Sequence, residues 1–323
     1  MILLGTPGIT RVVSPKKGRK KADEEAALSK REKTRRELVR TARDIIIAAA
    51  LVGMVLASLF AYCGVWPPMV VIESSSMMHS SDSQVGAIDT GDLTLVKKVA
   101  GRNEIVTYVE AANPKDPNYG FRTYGDFGNV IIYQKNGIGG TPVIHRAIAW
   151  LEYNATASDP AQNIFKGDLP DIGVYAATEY TIKGLYTWPR GSGQTPLTIH
   201  ISAIFQNNAR FGAPHDGFIT KGDHNIIFPN GAGADQEALE VYTGRRVEPV
   251  KLAWVVGRSE GELPWFGLLK LYVSGQPSSA FPSSSVTGLV VTIVLLVTVP
   301  FALDYLIPRL LKRRKERKEA RKK

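Results

Sequence analysis

The chain has 323 residues, a formal net charge of +10 and a single cysteine, Cys63. The first 43 residues carry 13 Lys and Arg against 5 Asp and Glu, and residues 304–323 carry 10 against 3, which leaves a net charge of −5 for the rest. An acidic middle excludes a basic groove for nucleic acid, and one cysteine excludes a disulfide framework or a cysteine zinc cluster. We therefore expect no nucleic-acid partner, no metal and no cofactor.

The N-terminal part of the sequence predicts a basic cytoplasmic tail (residues 1–43) followed by a transmembrane helix (44–66). No formal charge occurs between residues 45 and 72, and about 20 apolar residues suffice to cross the hydrocarbon layer. Pro67 and Pro68 cannot continue a helix, and Trp66 has the ring favoured at a membrane interface. Because the basic leader is too long for a cleaved signal peptide, we expect an uncleaved signal anchor.

A second uncharged stretch, residues 286–303, predicts another transmembrane helix (283–307), kinked at Pro300, and then a basic tail (308–323). Lys and Arg next to a span favour the cytoplasmic side. Both tails are basic and two spans return the chain to its starting side. We therefore expect a cell-membrane protein with both termini in the cytoplasm and residues 67–282 outside.

This middle part predicts a mainly β fold. Short runs rich in Val, Ile, Thr and Tyr are separated by Gly, Pro, Asn and Asp, which is typical of strands and turns. Helical periodicity is limited to residues 234–242. Two polar segments, near residues 111–128 and 153–175, are expected to be surface loops or a small inserted subdomain. The predicted strands are residues 93–96, 130–134, 143–150, 181–188, 198–205 and 251–256.

Three consecutive serines, Ser74 to Ser76, follow a β-favouring run and precede two methionines, which is unusual for a solvated linker. A serine becomes a nucleophile only beside a base that takes its proton. His145 lies within a clean strand pattern, on the same face as Val143 and Ala147. The candidate bases are His79, His145, His200, His215 and His224.

Taken singly, these elements are better explained as structure than as chemistry. Serine clusters are usually linkers, a histidine in a strand is usually packed, and Gly222-Asp223 is typical of an Asx turn between strands. His200 has the same ambiguity as His145. Only the combination and its order along the chain favour a catalytic site.

In this order the motifs resemble the type I signal peptidases, over about residues 69–256. The histidine-arginine pair resembles the archaeal and endoplasmic-reticulum branch, in which histidine replaces the bacterial lysine. The matching segments are Ser74-Ser75-Ser76-Met77 (family Ser-Gly-Ser-Met), Gly91-Asp92-Leu93-Thr94-Leu95-Val96, Gly128-Asn129-Val130-Ile131-Ile132-Tyr133, Ile144-His145-Arg146 and Thr220-Lys221-Gly222-Asp223-His224-Asn225.

The resemblance implies an irregular β-sheet or barrel-like catalytic domain and a Ser-His-Asp mechanism. It makes Ser76 the nucleophile and His145 the general base. The backbone N–H of Ser76 and the hydroxyl of Ser74 would bind the oxyanion. For the aspartate that orients His145, the resemblance favours Asp235 with Asp223 as a supporting residue, and the reverse assignment stays open.

Two positions depart from the family pattern. Ser75 replaces the usual glycine, and His79 stands where proline is usual, close enough to Ser76 to be a rival base. The resemblance implies a membrane-anchored serine endopeptidase that removes signal peptides from preproteins, with the lipid bilayer and the secretion translocon as further partners. The alternatives are a non-catalytic membrane-tethered β-domain, with the serines as a stalk, and a self-processing regulatory peptidase of the same fold.

Overall fold

The computed structural model describes residues 15–153, 173–175, 179–185, 188, 196–201, 203–204, 213–238, 246–276 and 281–320. Most of the second predicted insertion, residues 154–172, lies outside these ranges. The chain divides into two units, Met1–Ala61 and Tyr62–Lys323.

Helix α1 (Pro15–Cys63) joins the predicted basic arm and the predicted first span into one continuous helix. Its segment Lys30–Cys63 is long and apolar enough to cross a membrane. The helix ends three residues before the predicted boundary at Trp66. Gly64 follows with a φ of +68°, the left-handed conformation that commonly terminates a helix.

The second unit contains a six-stranded sheet in the order β1-β2-β11-β5-β6-β10, with every neighbouring pair antiparallel. A sheet-rich domain is therefore confirmed. Strands β1 and β10 are its edges and do not pair with each other among the described residues. The strands of the described chain are β1 (Met69–Val71), β2 (Leu93–Lys97), β3 (Arg122–Thr123), β4 (Asp126–Phe127), β5 (Val130–Tyr133), β6 (Val143–Leu151), β7 (Gly173–Tyr175), β8 (Tyr180–Ile182), β9 (Leu197–Ile199), β10 (Gly217–Lys221) and β11 (Val255–Leu263).

The strand predictions are correct where apolar runs are short and bounded by turns, as for β2, β5 and β6. The prediction for residues 251–256 is wrong in position, because Leu252–Trp254 is a 3₁₀ turn and β11 begins at Val255. Strand β10 was not predicted. In place of the helix considered at residues 234–242, the described part contains a 3₁₀ turn, Asp235–Glu237.

Alternation along β6 separates two groups of side chains. Ala147 packs with Tyr133, Phe218 and other apolar side chains, and His145 lies on that same face by alternation. On the opposite face, Ile148 packs with α2 (Tyr108–Ala112) and with β8 and β9. Strand β6 therefore carries His145 and its neighbour Arg146 to two different environments.

The first predicted insertion, residues 111–128, is an ordered part of the domain. It contains the end of α2 and the hairpin of β3 and β4. Helix α2 begins at a capping box in which Thr107 and Glu110 satisfy each other's backbone amides. This segment packs beside the sheet and contributes to the surroundings of Arg146.

Two helices follow β11: α3 (Leu268–Val273) and α4 (Ser283–Ala320). Their contact is an apolar cluster of Leu268, Leu271, Phe281 and Leu289. In α4, the segment Ser283–Lys312 is long and apolar enough to cross a membrane. The helix is continuous past the predicted boundary at residue 307, with Pro300 and Pro308 inside it.

Candidate active site

Ser76 lies in the loop after edge strand β1, and contacts on both sides fix its backbone. Met77 and Met78 are buried directly after it, and the Met78 amide donates to the Ser75 carbonyl at 3.1 Å. On the other side, the His224 amide donates to the Ser76 carbonyl at 2.9 Å. Backbone bonds therefore anchor the serine triplet to the domain, so that it does not form a free stalk, although Ser74 and Ser75 themselves are exposed.

Three predicted site residues form a continuous hydrogen-bonded chain. His145 Nε2 lies 3.0 Å from Ser76 Oγ, and His145 Nδ1 lies 2.5 Å from Asp235 Oδ2. A carboxylate only accepts hydrogen bonds, so this contact assigns the proton to Nδ1 and leaves Nε2 free to accept the serine proton. The arrangement is that of a serine nucleophile, a base and a group that orients the base.

Asp235 is held by two further hydroxyl groups that the sequence analysis did not identify. Thr220 Oγ1 donates to Asp235 Oδ2 at 2.7 Å, and the Tyr133 hydroxyl donates to the same oxygen at 3.2 Å. Burial and the charge of Asp235 hold the pKa of Tyr133 well above its usual value, so the phenol stays a donor. Gln236 in turn bonds the Thr220 hydroxyl at 3.1 Å. Thr220 and Tyr133 both lie within segments that resemble the family, but nothing in the sequence links either of them to Asp235.

Asp223 occupies a different place. Its carboxylate accepts two bonds from Arg146, Nε to Oδ1 at 2.8 Å and Nη2 to Oδ2 at 2.6 Å, and Oδ2 lies 2.9 Å from His79 Nε2. Burial alone would raise the pKa of Asp223, but the Arg146 charge and the bonds from Arg146 and His79 hold it well below its usual range. The structure therefore places Asp235, and not Asp223, beside His145.

Arg146 is fully buried, and its remaining donors are satisfied by the first insertion. Its Nη1 lies within hydrogen-bond distance of the carbonyl oxygens of Thr123, Phe127 and Gly128, at 3.0, 3.2 and 3.1 Å. Burial would lower the pKa of Arg146, but the adjacent Asp223 raises it, so the guanidinium stays charged. The insertion thus completes the polar surroundings of the residue next to His145.

His79, the rival base, points its hydrogen bond at Asp223, and its ring stacks on Trp188 with centroids 4.2 Å apart. The other three histidines also have partners of their own. They bond Glu237 (His200), Glu248 (His215) and the Met78 carbonyl (His224). Of the five candidates, the structure brings His145 to Ser76.

The predicted oxyanion groups lie beside the nucleophile. Ser74 Oγ is 3.2 Å from Ser76 Oγ, and Ser74 is exposed. An exposed hydroxyl at this distance is free to rotate toward a bound carbonyl oxygen. The role of Ser74 and of the Ser76 amide in binding an oxyanion stays a prediction.

A turn at residues 222–225 supports the Ser76 backbone. Gly222 lies against it so closely that a Cβ there would be 2.6 Å from the Ser76 carbonyl oxygen. The buried ammonium of Lys221 donates to the carbonyls of Gly222 at 2.6 Å and Asn225 at 2.9 Å. Burial lowers the pKa of Lys221 to about 8. Because a Cβ at position 222 would collide with the Ser76 carbonyl oxygen, packing requires glycine there.

Ser76, His145 and Asp235 open into a cavity of about 790 Å³. One wall is the edge strand β1 and the other is the start of β6, including Val143 and Ile144. Most of this lining is apolar, and Glu73 and Lys270, which pair at 2.8 Å, also line the cavity. A cavity of this size and lining suits an extended, largely apolar chain.

Among the residues that the structure describes, no group of three or more His, Cys, Asp or Glu side chains is arranged to hold a metal ion. A comparison with protein-family models found no match to the chain, and a comparison with curated proteins found none either.

Proposed function

We propose that the protein is a membrane-anchored serine endopeptidase that removes signal peptides from exported preproteins. The observation that carries the proposal is the hydrogen-bonded chain from Ser76 through His145 to Asp235 at the wall of an apolar cavity. The family resemblance of the motifs around these residues supports the choice of substrate.

The proposed reaction begins when Ser76 Oγ attacks the scissile carbonyl carbon and His145 Nε2 takes the serine proton. Asp235 stabilises the resulting imidazolium, which then protonates the leaving amine as the peptide bond breaks. Water, deprotonated by His145, next hydrolyses the acyl ester and restores the Ser76 hydroxyl. The Ser76 amide and the Ser74 hydroxyl stabilise the oxyanion in both halves of the reaction.

The chain length between the first candidate span and Ser76 supports a membrane-bound substrate. About ten residues separate Trp66 from Ser76, so the connection reaches at most about 35 Å. A preprotein held by its own apolar segment in the same bilayer would reach the site by diffusion within the membrane plane. This raises the effective concentration of its cleavage site near Ser76. The basic segments that flank the two candidate spans support a domain on the outer side of the cell membrane.

The decisive experiment incubates the purified full-length protein with a secretory precursor and follows cleavage after a small residue. We expect Ser76→Ala and His145→Ala to abolish cleavage. The matched controls, Ser75→Ala and His215→Gln, should cleave normally because Ser75 and His215 lie outside the hydrogen-bonded chain.

Normal cleavage by Ser76→Ala and His145→Ala would overturn the proposed site. If the wild-type protein cuts only its own chain, it is a self-processing peptidase of the same chemistry. If the wild-type protein cuts neither the precursor nor its own chain, the protein is a membrane-tethered β-domain without catalytic activity.

A further inference from the structure

The 3₁₀ turn Asp235–Glu237 carries the aspartate that bonds His145, and a turn this short has few backbone bonds of its own. The Glu237 amide donates to the Ala234 carbonyl and the Ala238 amide donates to the Asp235 carbonyl, both at 3.0 Å. The position of Asp235 therefore depends on the contacts that the turn makes with the rest of the domain.

One side of the turn is attached to strand β10 through Gln236, which is fully buried. Its side-chain oxygen accepts a bond from the Thr220 amide at 2.9 Å, and its side-chain nitrogen donates to the Thr220 hydroxyl at 3.1 Å. The same hydroxyl donates to Asp235 at 2.7 Å. An attachment on one side only would leave the turn able to rotate about it.

The other side of the turn is attached by Glu237, whose carboxylate accepts four hydrogen bonds. Oε2 accepts from the amides of Gly233 at 2.9 Å and Ala234 at 3.1 Å. Oε1 accepts from the His200 amide at 3.0 Å and lies 2.6 Å from His200 Nδ1. Because a carboxylate only accepts, this contact assigns the His200 proton to Nδ1. We name the bond between these two side chains the His200–Glu237 clamp.

The clamp joins the turn to the three-stranded sheet β7-β8-β9, which is separate from the six-stranded sheet. His200 directly follows β9. Two further contacts join the same parts of the chain. The Thr198 amide of β9 donates to the Gly231 carbonyl at 2.9 Å, and Ala234 is buried in an apolar cluster to which β8 and β9 contribute. Residues 231–237 are therefore held against β9 at three points.

We propose that His200 and Glu237 are positioning residues of the peptidase, which hold the turn so that Asp235 stays bonded to His145. The effect on turnover rests on the proposed function, whereas the effect on the bond does not. Asp235 Oδ2 lies 2.5 Å from His145 Nδ1, so a shift of about 1 Å would bring this contact to the limit of a hydrogen bond. The sheet β7-β8-β9 thereby acts on the site from outside, since none of its described residues lines the cavity.

Three variants separate positioning from packing. Glu237→Gln keeps the size of the side chain but replaces one acceptor oxygen by a nitrogen that only donates, so the side chain can no longer accept all four bonds. His200→Leu removes the Nδ1 donor, whereas His200→Asn keeps an N–H donor at about the same place. Glu248→Gln is the matched control, because Glu248 pairs with His215 at 3.0 Å and bonds none of the turn among the described residues.

Two readouts on the purified full-length protein in detergent micelles test the proposal. The first is the NMR resonance of the His145 Nδ1 proton with ¹⁵N-labelled histidine, which lies far downfield in a short bond to a carboxylate and is assigned by its loss in Asp235→Asn. The second is kcat and KM for precursor cleavage. We expect Glu237→Gln and His200→Leu to shift or broaden this resonance and to lower kcat by up to about 100-fold at nearly unchanged KM. His200→Asn and Glu248→Gln should match the wild type in both readouts.

An unchanged His145 resonance in Glu237→Gln and His200→Leu would overturn the proposal, even if kcat or the melting temperature fell. Equal changes in His200→Asn and His200→Leu would show that the Nδ1 bond is not what holds the turn, which also overturns it.

Should Glu237→Gln fail to fold, the two His200 variants decide, because the His200 side chain is 29 % exposed and its replacement disturbs no tightly packed core. If the wild type shows the resonance but cleaves no precursor, the proposed function fails, and the resonance in the variants alone decides the positioning role. A wild type without the resonance would overturn the bond between His145 and Asp235 and the positioning role with it.

Discussion

Arg146 and Asp223 form a two-bond ion pair on the opposite side of β6 from His145, with Nε to Oδ1 at 2.8 Å and Nη2 to Oδ2 at 2.6 Å. The pair explains why an aspartate so close in sequence to Thr220 and Lys221 does not reach the His145 ring. It also assigns different consequences to the loss of the two candidate aspartates. We expect the loss of Asp223 to affect folding and the loss of Asp235 to affect the proposed chemistry.

Asp223→Asn should destabilise the fold by about 3–5 kcal/mol, because it leaves the fully buried Arg146 charge without its partner. The pKa of Asp223 is depressed in the folded state. The pair therefore contributes fully to the free energy of unfolding above the ordinary aspartate pKa of about 3.9. This contribution is lost as the pH falls below that value toward the depressed pKa of folded Asp223. Thermal and denaturant unfolding measure the effect, and the exposed Asp82→Asn is the control. Equal stability of Asp223→Asn and the wild type would contradict the predicted destabilisation.

Asp235→Asn should lower kcat by about 10⁴-fold, the loss typical when the group that sets the histidine tautomer becomes an amide. The amide would present a donor to His145 Nδ1 and favour the wrong tautomer. We expect only a modest change in unfolding, since Thr220 and Tyr133 still bond the side chain. Precursor cleavage under single-turnover conditions measures kcat. Full turnover by Asp235→Asn would show that Asp235 does not orient His145.

Ser74→Ala should lower kcat by about 100- to 1,000-fold and leave KM nearly unchanged, because an oxyanion donor acts mainly in the transition state. Its hydroxyl lies 3.2 Å from that of Ser76 and is exposed, so its removal leaves no buried gap. Ser75→Ala is the matched control. If the two variants behave alike, Ser74 is not an oxyanion donor.

Gly222→Ala should lower kcat by about 100-fold, because the new Cβ would lie 2.6 Å from the Ser76 carbonyl oxygen and displace the nucleophile. Gly139→Ala is the control, since a Cβ there meets no atom within 4 Å. Steady-state cleavage and unfolding should be measured together. Normal turnover by Gly222→Ala would show that the backbone of Ser76 adapts without loss of geometry.

Glu262→Gln should flatten the pH dependence of stability. Burial, with Asp92 and Asp89 nearby, raises the pKa of Glu262 to about 7, and burial raises the pKa of Asp92 to about 6. A raised carboxyl pKa gives a contribution that is complete below the unfolded value, about 4.3 for glutamate, and is lost as the pH rises through 6 and 7.

Melting temperatures between pH 4 and 8 measure this effect. The wild type should lose stability across that range, and Glu262→Gln should lose less. Glu260→Gln, on the same strand, is the control. Identical pH profiles for the wild type and Glu262→Gln would contradict the prediction.

The parts of the fold and site that the sequence could predict are those encoded locally. Strands β2, β5 and β6 are short apolar runs between turn residues, and the motifs around Ser76 and His145 are contiguous. Strand β11 could not be located in this way, because it contains Arg258, Glu260 and Glu262 and two glycines, and its pairing with β2 and β5 decides its position.

The contacts that hold Asp235 and Asp223 could not be predicted, because they join strands β5 and β6 to turns far away in the chain. Tyr133 lies 102 residues from Asp235, and Arg146 lies 77 residues from Asp223. Which aspartate faces which partner depends on the side of β6 that each loop reaches. Only the assembled sheet determines that choice.

Ser76 and His145 are 69 residues apart in the chain, and His145 and Asp235 are 90 apart. A ribosome that has delivered the nucleophile has therefore not yet delivered the group that orients its base. In the proposed peptidase, a growing chain that ends before Asp235 lacks the group that orients the base. The complete triad therefore forms only after most of the polypeptide has been made and has folded together.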